Sequence, residues 1–211
     1  MFLPPNPFLS MKYDPSQVYS PEADTVLLLD AARAEAKPND RVLEVGTGSG
    51  LIAAEIARIT RVVATDINPH AVFCARRAGI DVVRTDLFTG IVGPFDLILF
   101  NPPYLPTRPE DRMDDWLEYA LDGGVSGRAV IERFARNVGE VLAPGGRILL
   151  LVSSLTGLSE VQELFAGRGY SSITARHQDI EGGEVLSVLK IFRKERGIPA
   201  GITCASAGQR P

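Results

Sequence analysis

Phe95-Asp96-Leu97-Ile98-Leu99-Phe100-Asn101-Pro102-Pro103-Tyr104 is the stretch from which the rest of the chain can be read. The apolar run 95–100 reads as a buried parallel strand. Two consecutive prolines cannot continue a strand ladder, and the residue before a proline is pushed to extended geometry. The strand therefore stops here, with Asn101 held stiffly at its carboxyl end. In an open α/β sheet that is where ligands bind. The Asn101 amide oxygen and the Pro102 carbonyl form a rigid pair of acceptors suited to an –NH₂ group, and Tyr104 adds an aromatic face. Taken alone, Asn-Pro-Pro is equally well a plain turn. The upstream sequence decides between the two.

Working outward, the sequence alternates strands and helices. Strands are expected at 41–45, 61–65, 80–85, 95–100, 147–153, 171–176 and 184–192. Helices are expected at 51–59, 69–79, 126–142 and 158–167. An earlier helix opens at Ser20-Pro21-Glu22-Ala23-Asp24-Thr25, with Ser20 as N-cap, Pro21 at the first helical position and carboxylates at the positive end. It carries its apolar face over 26–36. Ala143-Pro144-Gly145-Gly146 is expected to end the helix before it, and 105–122 reads as a long polar loop of the kind that is functional or mobile. The alternation predicts an α/β fold: a doubly wound, seven-stranded, mostly parallel sheet with one antiparallel strand, Rossmann-like. The last two strands lack an intervening helix and should pair antiparallel. The expected division is an irregular arm over 1–18 (Met11 is an alternative start), one domain over 19–193 and a flexible tail over 194–211.

Composition narrows the function. The chain has 211 residues, 45% of them hydrophobic, and a net charge of −4, which suits one domain with a sizeable core and no bulk pull toward nucleic acid. The two cysteines, Cys74 and Cys204, make neither a disulfide framework nor a zinc site. No apolar run is long enough to span a bilayer, and residues 1–7 do not resemble a signal peptide. These features predict a cytoplasmic protein. No metal constellation is expected, and His70 and His177 read as structural.

Glu44-x-Gly46-x-Gly48-x-Gly50 sits between a strand and a helix start, where glycine lets a ligand press against bare backbone. Gly48-Ser49-Gly50-Leu51-Ile52-Ala53 also matches the dinucleotide fingerprint, which keeps a nucleotide-dependent oxidoreductase open as an alternative. Glu44 speaks against it, because a carboxylate repels a pyrophosphate and welcomes an ammonium. Asp66, about 20 residues after the glycines, is placed to accept from ribose hydroxyls. Asp86 can accept from an adenine amino group, with Leu87 and Phe88 as apolar walls. Acids at three consecutive strand ends, with this glycine turn, describe an adenosine carrying a zwitterionic tail and no phosphates. That ligand is S-adenosylmethionine.

Val42-Leu43-Glu44-Val45-Gly46-Thr47-Gly48-Ser49-Gly50, with Asp66, Asp86 and Asn101-Pro102-Pro103-Tyr104, resembles the class I S-adenosylmethionine-dependent methyltransferases, and within them the HemK-type protein-glutamine methyltransferases. The resemblance covers about 19–192. Tyr19-Ser20-Pro21-Glu22-Ala23-Asp24-Thr25 and Gly123-Gly124-x-x-Gly127-Arg128 are similar to the short archaeal and eukaryotic branch, and the N-terminal helical domain of the bacterial branch is not seen. The resemblance implies catalytic roles for Asn101, Pro102, Pro103 and Tyr104. It implies cofactor contacts at Tyr19, Pro21, Thr25, Glu44, Gly46, Thr47, Gly48, Gly50, Asp66, Ile67, Asp86, Leu87 and Asn101, with S-adenosylhomocysteine as product.

The Asn-Pro-Pro-Tyr grip also serves adenine N6 and cytosine N4, so the tetrapeptide leaves the acceptor open. The acids of 105–122 (Glu110, Asp111, Asp114, Asp115 and Glu118) disfavour a phosphate backbone. The resemblance implies the glutamine of the Gly-Gly-Gln loop of a class I release factor, with lysine on another protein or nucleic-acid adenine as alternatives. It further implies a small zinc-binding activator subunit on the third-strand edge, 79–85, which is an aggregation hazard if left bare. The chain's own N-terminal arm is the other candidate to cover that edge. A non-catalytic binding module would tolerate loss of Asn101 or of the glycines.

Overall fold

The computed structural model describes residues 13–194. Residues 1–12 of the expected arm, including Met11, and the expected tail from 195 onward, including Cys204, lie outside the described residues.

Seven strands form one sheet: β1 (Arg41–Val45), β2 (Arg61–Asp66), β3 (Asp81–Arg84), β4 (Phe95–Phe100), β5 (Leu142–Ser153), β6 (Tyr170–Asp179) and β7 (Val185–Arg193). Their spatial order is β3-β2-β1-β4-β5-β7-β6. The first five strands run parallel. β7 is antiparallel to both β5 and β6 and is therefore the one reversed strand. The strand order changes direction between β1 and β4, so the crevice beyond their carboxyl ends is the topological switch point where such sheets bind ligands.

Both faces are covered, which explains why the central strands read as continuous apolar runs. Val42, Leu97, Leu99, Leu149 and Leu151 join one buried cluster with residues of α1 (Ala23–Glu35), α2 (Leu51–Ile56) and α3 (Pro69–Arg77). The alternate residues Leu43, Val45, Ile98, Phe100 and Leu150 join a second with α5 (Ala129–Asn137) and α6 (Leu158–Ala166). Phe134 of α5 anchors this second face. It stacks on Phe100 at 4.7 Å between ring centroids and meets Phe88 and Phe165. Burying a side chain of this size contributes about 1.5–3 kcal/mol before the ring contacts are counted.

At the sheet end opposite the crevice, Arg147 is held by Asp40, Glu35 and the Asp96 carbonyl. The Arg147–Asp40 ion pair, at 2.6 Å, is nearly fully buried. Burial alone would push the Asp40 carboxyl up. The bonds from Arg147 and the Lys37 backbone N–H outweigh it and hold the carboxyl below its ordinary value.

Several element bounds differ from expectation for local reasons. Ser20 is not the N-cap of α1. Glu22 takes that position in extended geometry with no side-chain cap, and Pro21 stays outside the helix. Residues 143–146 do not end a helix but interrupt a longer β5. Phe95 pairs with Leu142 and Leu97 with Arg147, so the four residues bulge and the ladder resumes. Pro144 lacks the donor for that ladder, and Gly145 has φ +73°. α5 spans 129–137 rather than 126–142, because Gly127 at φ +69° breaks the helical path before it. β6 continues past a bulge at Thr174/Arg176 to Asp179.

Candidate functional site

A cavity of about 740 Å³ opens at the switch point. Most of the residues proposed from sequence line it: Tyr19, Thr25, Glu44, Gly46, Thr47, Gly48, Asp66, Ile67, Asp86, Leu87, Asn101, Pro102, Pro103 and Tyr104. Pro21 and Gly50 are not in its wall. Gly50 instead caps α2 at φ +81°, where a Cβ would stand 3.1 Å from the Ala75 Cα of α3. Its role is close packing of two helices.

Glu44 points from the last turn of β1 into the start of α2. Its Oε2 accepts from the Thr47 hydroxyl at 2.5 Å and the Ala53 backbone N–H at 3.1 Å. It thus satisfies one of the orphan donors of α2, which Gly50 has no side chain to reach. Burial pushes its carboxyl up to about 8. The Thr47 and Ala53 bonds oppose that shift, and the nearby Asp66 charge adds to it. Asp66, at the end of β2, accepts from the backbone N–H groups of Gly48 (2.9 Å) and Asn68 (2.8 Å). Burial raises its carboxyl too. The glycine turn is therefore folded around two buried acids. Asp86 is half exposed, with Oδ2 bonded to Arg133 of α5 at 2.5 Å. Leu87 beside it takes a left-handed φ of +49°, an uncommon conformation that marks constraint at a site.

Asn101 stands at the end of β4. Its Nδ2 donates to Asp24 Oδ2 at 3.1 Å. Its Oδ1 is buried and has no hydrogen-bond partner. Such orphaned acceptors are rare enough to need a reason. The same Asp24 oxygen accepts from the Tyr19 hydroxyl at 3.1 Å. Burial and the neighbouring acids Asp24 and Glu22 push the Tyr19 phenol up. Burial also raises Tyr104, with Asp24, Glu184 and Glu22 adding to the shift, so both phenols stay neutral donors. The glycines of 123–127 fix Tyr104 from behind: a Cβ on Gly127 would lie 2.6 Å from the Tyr104 carbonyl oxygen.

The segment 105–122 is not free polar loop. It contains the short helix α4 (Glu118–Leu121), and Leu105 bridges back to Asp122. The Trp116 backbone N–H donates to Gln17 Oε1 at 2.9 Å, and the Trp116 ring receives Arg84 of β3 at 5.5 Å. Residues 13–18 form a strap over the cavity, with Pro15–Gln17 in a 3₁₀ turn. The strap is pinned to α3 by Asn68 Nδ2 on the Gln17 carbonyl (2.7 Å), Asp14 N–H on His70 Nδ1 (3.1 Å) and Tyr13 on Phe73. Sequence reasoning gave no role to Asn68 or Arg133, offered the arm only as a cover for the third-strand edge, and gave Asp24 only a place at the positive end of α1. The Asn68-Pro69 pair is a readable cap signal. The strap has no period to find, and Arg133 meets Asp86 only through the fold.

The methyltransferase small domain family matches residues 18–114. MJ0928 of Methanocaldococcus jannaschii, provisionally named a protein N5-glutamine methyltransferase, is 39% identical over 80% of this chain and 88% of its own length. Human methyltransferase HEMK2 is 36% identical over 84% of this chain and 91% of its own. The release factor glutamine methyltransferase of Deinococcus radiodurans is 40% identical, with the match spanning about half of that protein. Among solved structures, the E. cuniculi Mtq2-Trm112 complex, described as responsible for methylation of the eRF1 termination factor, superposes with a TM-score of 0.71. It is 32% identical over 84% of this chain and 99% of that one. With 39% and 36% identity along most of both lengths, and a site built on the Asn-Pro-Pro-Tyr end of β4, the chain belongs to the HemK family of methyltransferases, with the HEMK2-type proteins among its relatives.

Proposed function

We propose that this methyltransferase transfers a methyl group from S-adenosylmethionine to the side-chain nitrogen of a protein glutamine: that of the Gly-Gly-Gln motif of a class I release factor, in the cytoplasm. The observation that carries the reading is the buried Asn101 Oδ1 without a partner, set beside Pro102 and Tyr104 in the cavity wall. A buried acceptor left open costs about 1–3 kcal/mol, and an amide –NH₂ group satisfies it.

The cavity suits the cofactor. Gly46, Thr47 and Gly48 would hold the amino-acid end, with Tyr19 and Thr25 in the same wall. Glu44 would join them as a carboxylate only once the cofactor's ammonium favours its charged form and draws its raised carboxyl down. Asp66 keeps lone pairs beyond its two backbone bonds for ribose hydroxyls, with Ile67 adjoining. Asp86 and Leu87 would flank the adenine. When bound, the cofactor supplies an electrophilic methyl group on a sulfonium. The protein's part is positioning. Asn101 Oδ1 and the Pro102 carbonyl accept the two N–H bonds, which leaves the nitrogen lone pair as the free direction, while Tyr104 orients the amide. The methylated nitrogen then sheds one proton to solvent, and because an N-protonated amide is strongly acidic no strong base is needed; acceleration comes from alignment and fixed dipoles.

For the activator subunit we propose the outer edge of β3. Among the described residues β3 pairs only with β2, and Val83 on it is 43% exposed. Of the expected arm, residues 13–18 pack on α3 and the 105–122 segment rather than on this edge.

The test is transfer of labelled methyl to the source organism's class I release factor, to its Gln-substituted form and to duplex DNA, each with and without a candidate activator. Transfer to the factor that vanishes with the glutamine supports the reading. Transfer that persists on lysines, or occurs only on DNA, overturns it.

A further inference from the structure

We propose that Asp24 is a positioning residue that decides which end of the Asn101 amide faces the acceptor. This inference rests on the function proposed above. Asp24 is the second residue of α1 and is only 3% exposed. A carboxylate has no donor, so its Oδ2, at 3.1 Å from the Asn101 amide, can be met only by Nδ2. The other end of that amide, Oδ1, must then turn away from Asp24, and it is left buried and open. The polarity of the acceptor grip is therefore written in α1, far from β4 in sequence.

The rest of the Asp24 environment closes the alternatives. Oδ1 accepts from the Thr25 backbone N–H at 2.5 Å and from the Thr25 hydroxyl, and Oδ2 also takes the Tyr19 hydroxyl. Of these donors, the Thr25 N–H is fixed in the first turn of α1. In Asp24→Asn the new amide must offer its oxygen to that N–H, which leaves its –NH₂ facing Asn101 and Tyr19. The Tyr19 hydroxyl can rotate to accept. Asn101 can adapt only by flipping, which presents Nδ2 to the acceptor's N–H bonds, donor against donor. In the paired variant Asp24→Asn/Asn101→Asp, the amide introduced on α1 donates its –NH₂ to one oxygen of the carboxylate introduced at the end of β4. The other oxygen of that carboxylate again faces the cavity as an acceptor.

The test has a kinetic and a spectroscopic arm. Asp24→Asn should lower kcat roughly 100-fold while the Kd for S-adenosylhomocysteine stays within about threefold, a change of about 0.6 kcal/mol. Asn101→Asp alone sets two carboxylates against each other and should be at least as impaired. The paired variant should recover kcat by about tenfold or more over either single change, the signature of coupled partners. Independently of any acceptor, the Asn101 side-chain amide resonances, identified by their loss in Asn101→Asp, should be slow to exchange in the wild-type protein. In Asp24→Asn they should shift and exchange faster. A wild-type protein inactive on release factor would defeat the proposed function yet leave the spectroscopic arm standing. Fast exchange in the wild type, unchanged resonances in Asp24→Asn, full kcat in that variant, or no recovery in the pair would each overturn the positioning role.

Discussion

Replacing Glu44 by Gln should remove a pH dependence that the fold itself imposes. In the folded protein burial holds the Glu44 carboxyl protonated up to about 8, against an ordinary value of 4.5. Between those values the folded state binds more protons than the unfolded chain, so stability must fall as pH rises through the window. Each unit corresponds to about 1.4 kcal/mol, so about three units, from about pH 5 to about pH 8, give a loss of roughly 4 kcal/mol from this group. Gln keeps an oxygen for the Thr47 hydroxyl and the Ala53 N–H but does not titrate. Urea denaturation of both proteins at several pH values gives a difference curve. In it the opposite contribution of Asp40, which is lost as pH falls, cancels, and the same-sign contribution of Asp66 largely does. The wild type should lose about 4 kcal/mol relative to Glu44→Gln across the window. Parallel curves would refute the reasoning, because they would mean that Glu44 titrates alike in both states.

Three further outcomes follow from the packing. Gly50→Ala, at φ +81° and with a Cβ meeting Ala75 at 3.1 Å, should destabilise the protein by about 1–3 kcal/mol, read as a lower urea midpoint with an unchanged slope. Arg147→Met leaves Asp40 buried without its partner and should cost about 3–5 kcal/mol; adding Asp40→Asn should recover part of the loss. Gly127→Ala drives a Cβ into the Tyr104 carbonyl, so methyl transfer should fall roughly 100-fold while S-adenosylhomocysteine still protects the protein from thermal unfolding.

The parts of this protein that were legible in its sequence are those fixed by local chemistry. β4 and its stop at Asn101 follow from an apolar run meeting two prolines, and its observed bounds are the expected ones. β1 and the glycine turn are likewise contiguous in sequence, Glu44 and Asp66 each mark the end of a local apolar run, and the fold brings both acids to one cavity. The misreadings arose where tertiary structure overrode local signals. Pro144-Gly145-Gly146 is turn chemistry, yet the ladder between β4 and β5 resumes across it and absorbs it as a bulge. Ser20-Pro21 is a capping signal, yet α1 begins later, with Tyr19 instead spent on Asp24. Arg133 with Asp86, and Asp24 with Asn101, are separated by 47 and 77 residues. No window along the chain contains either pair. The strap over 13–18 carries no pattern of its own, because it is held by donors from the Asn68 amide and the Trp116 backbone N–H and by the His70 ring nitrogen as acceptor.

One of these long-range pairs, Asp24 with Asn101, holds the amide whose oxygen is left buried and open. The most direct measurement is steady-state methyl transfer by Asn101→Ala, alongside calorimetric binding of S-adenosylhomocysteine. The predicted result is a fall in kcat of about 10²–10³-fold, with the dissociation constant changed by less than about threefold. If kcat is retained, or if it falls only in proportion to a loss of cofactor binding, then Asn101 does not grip the acceptor and the account of this site is wrong.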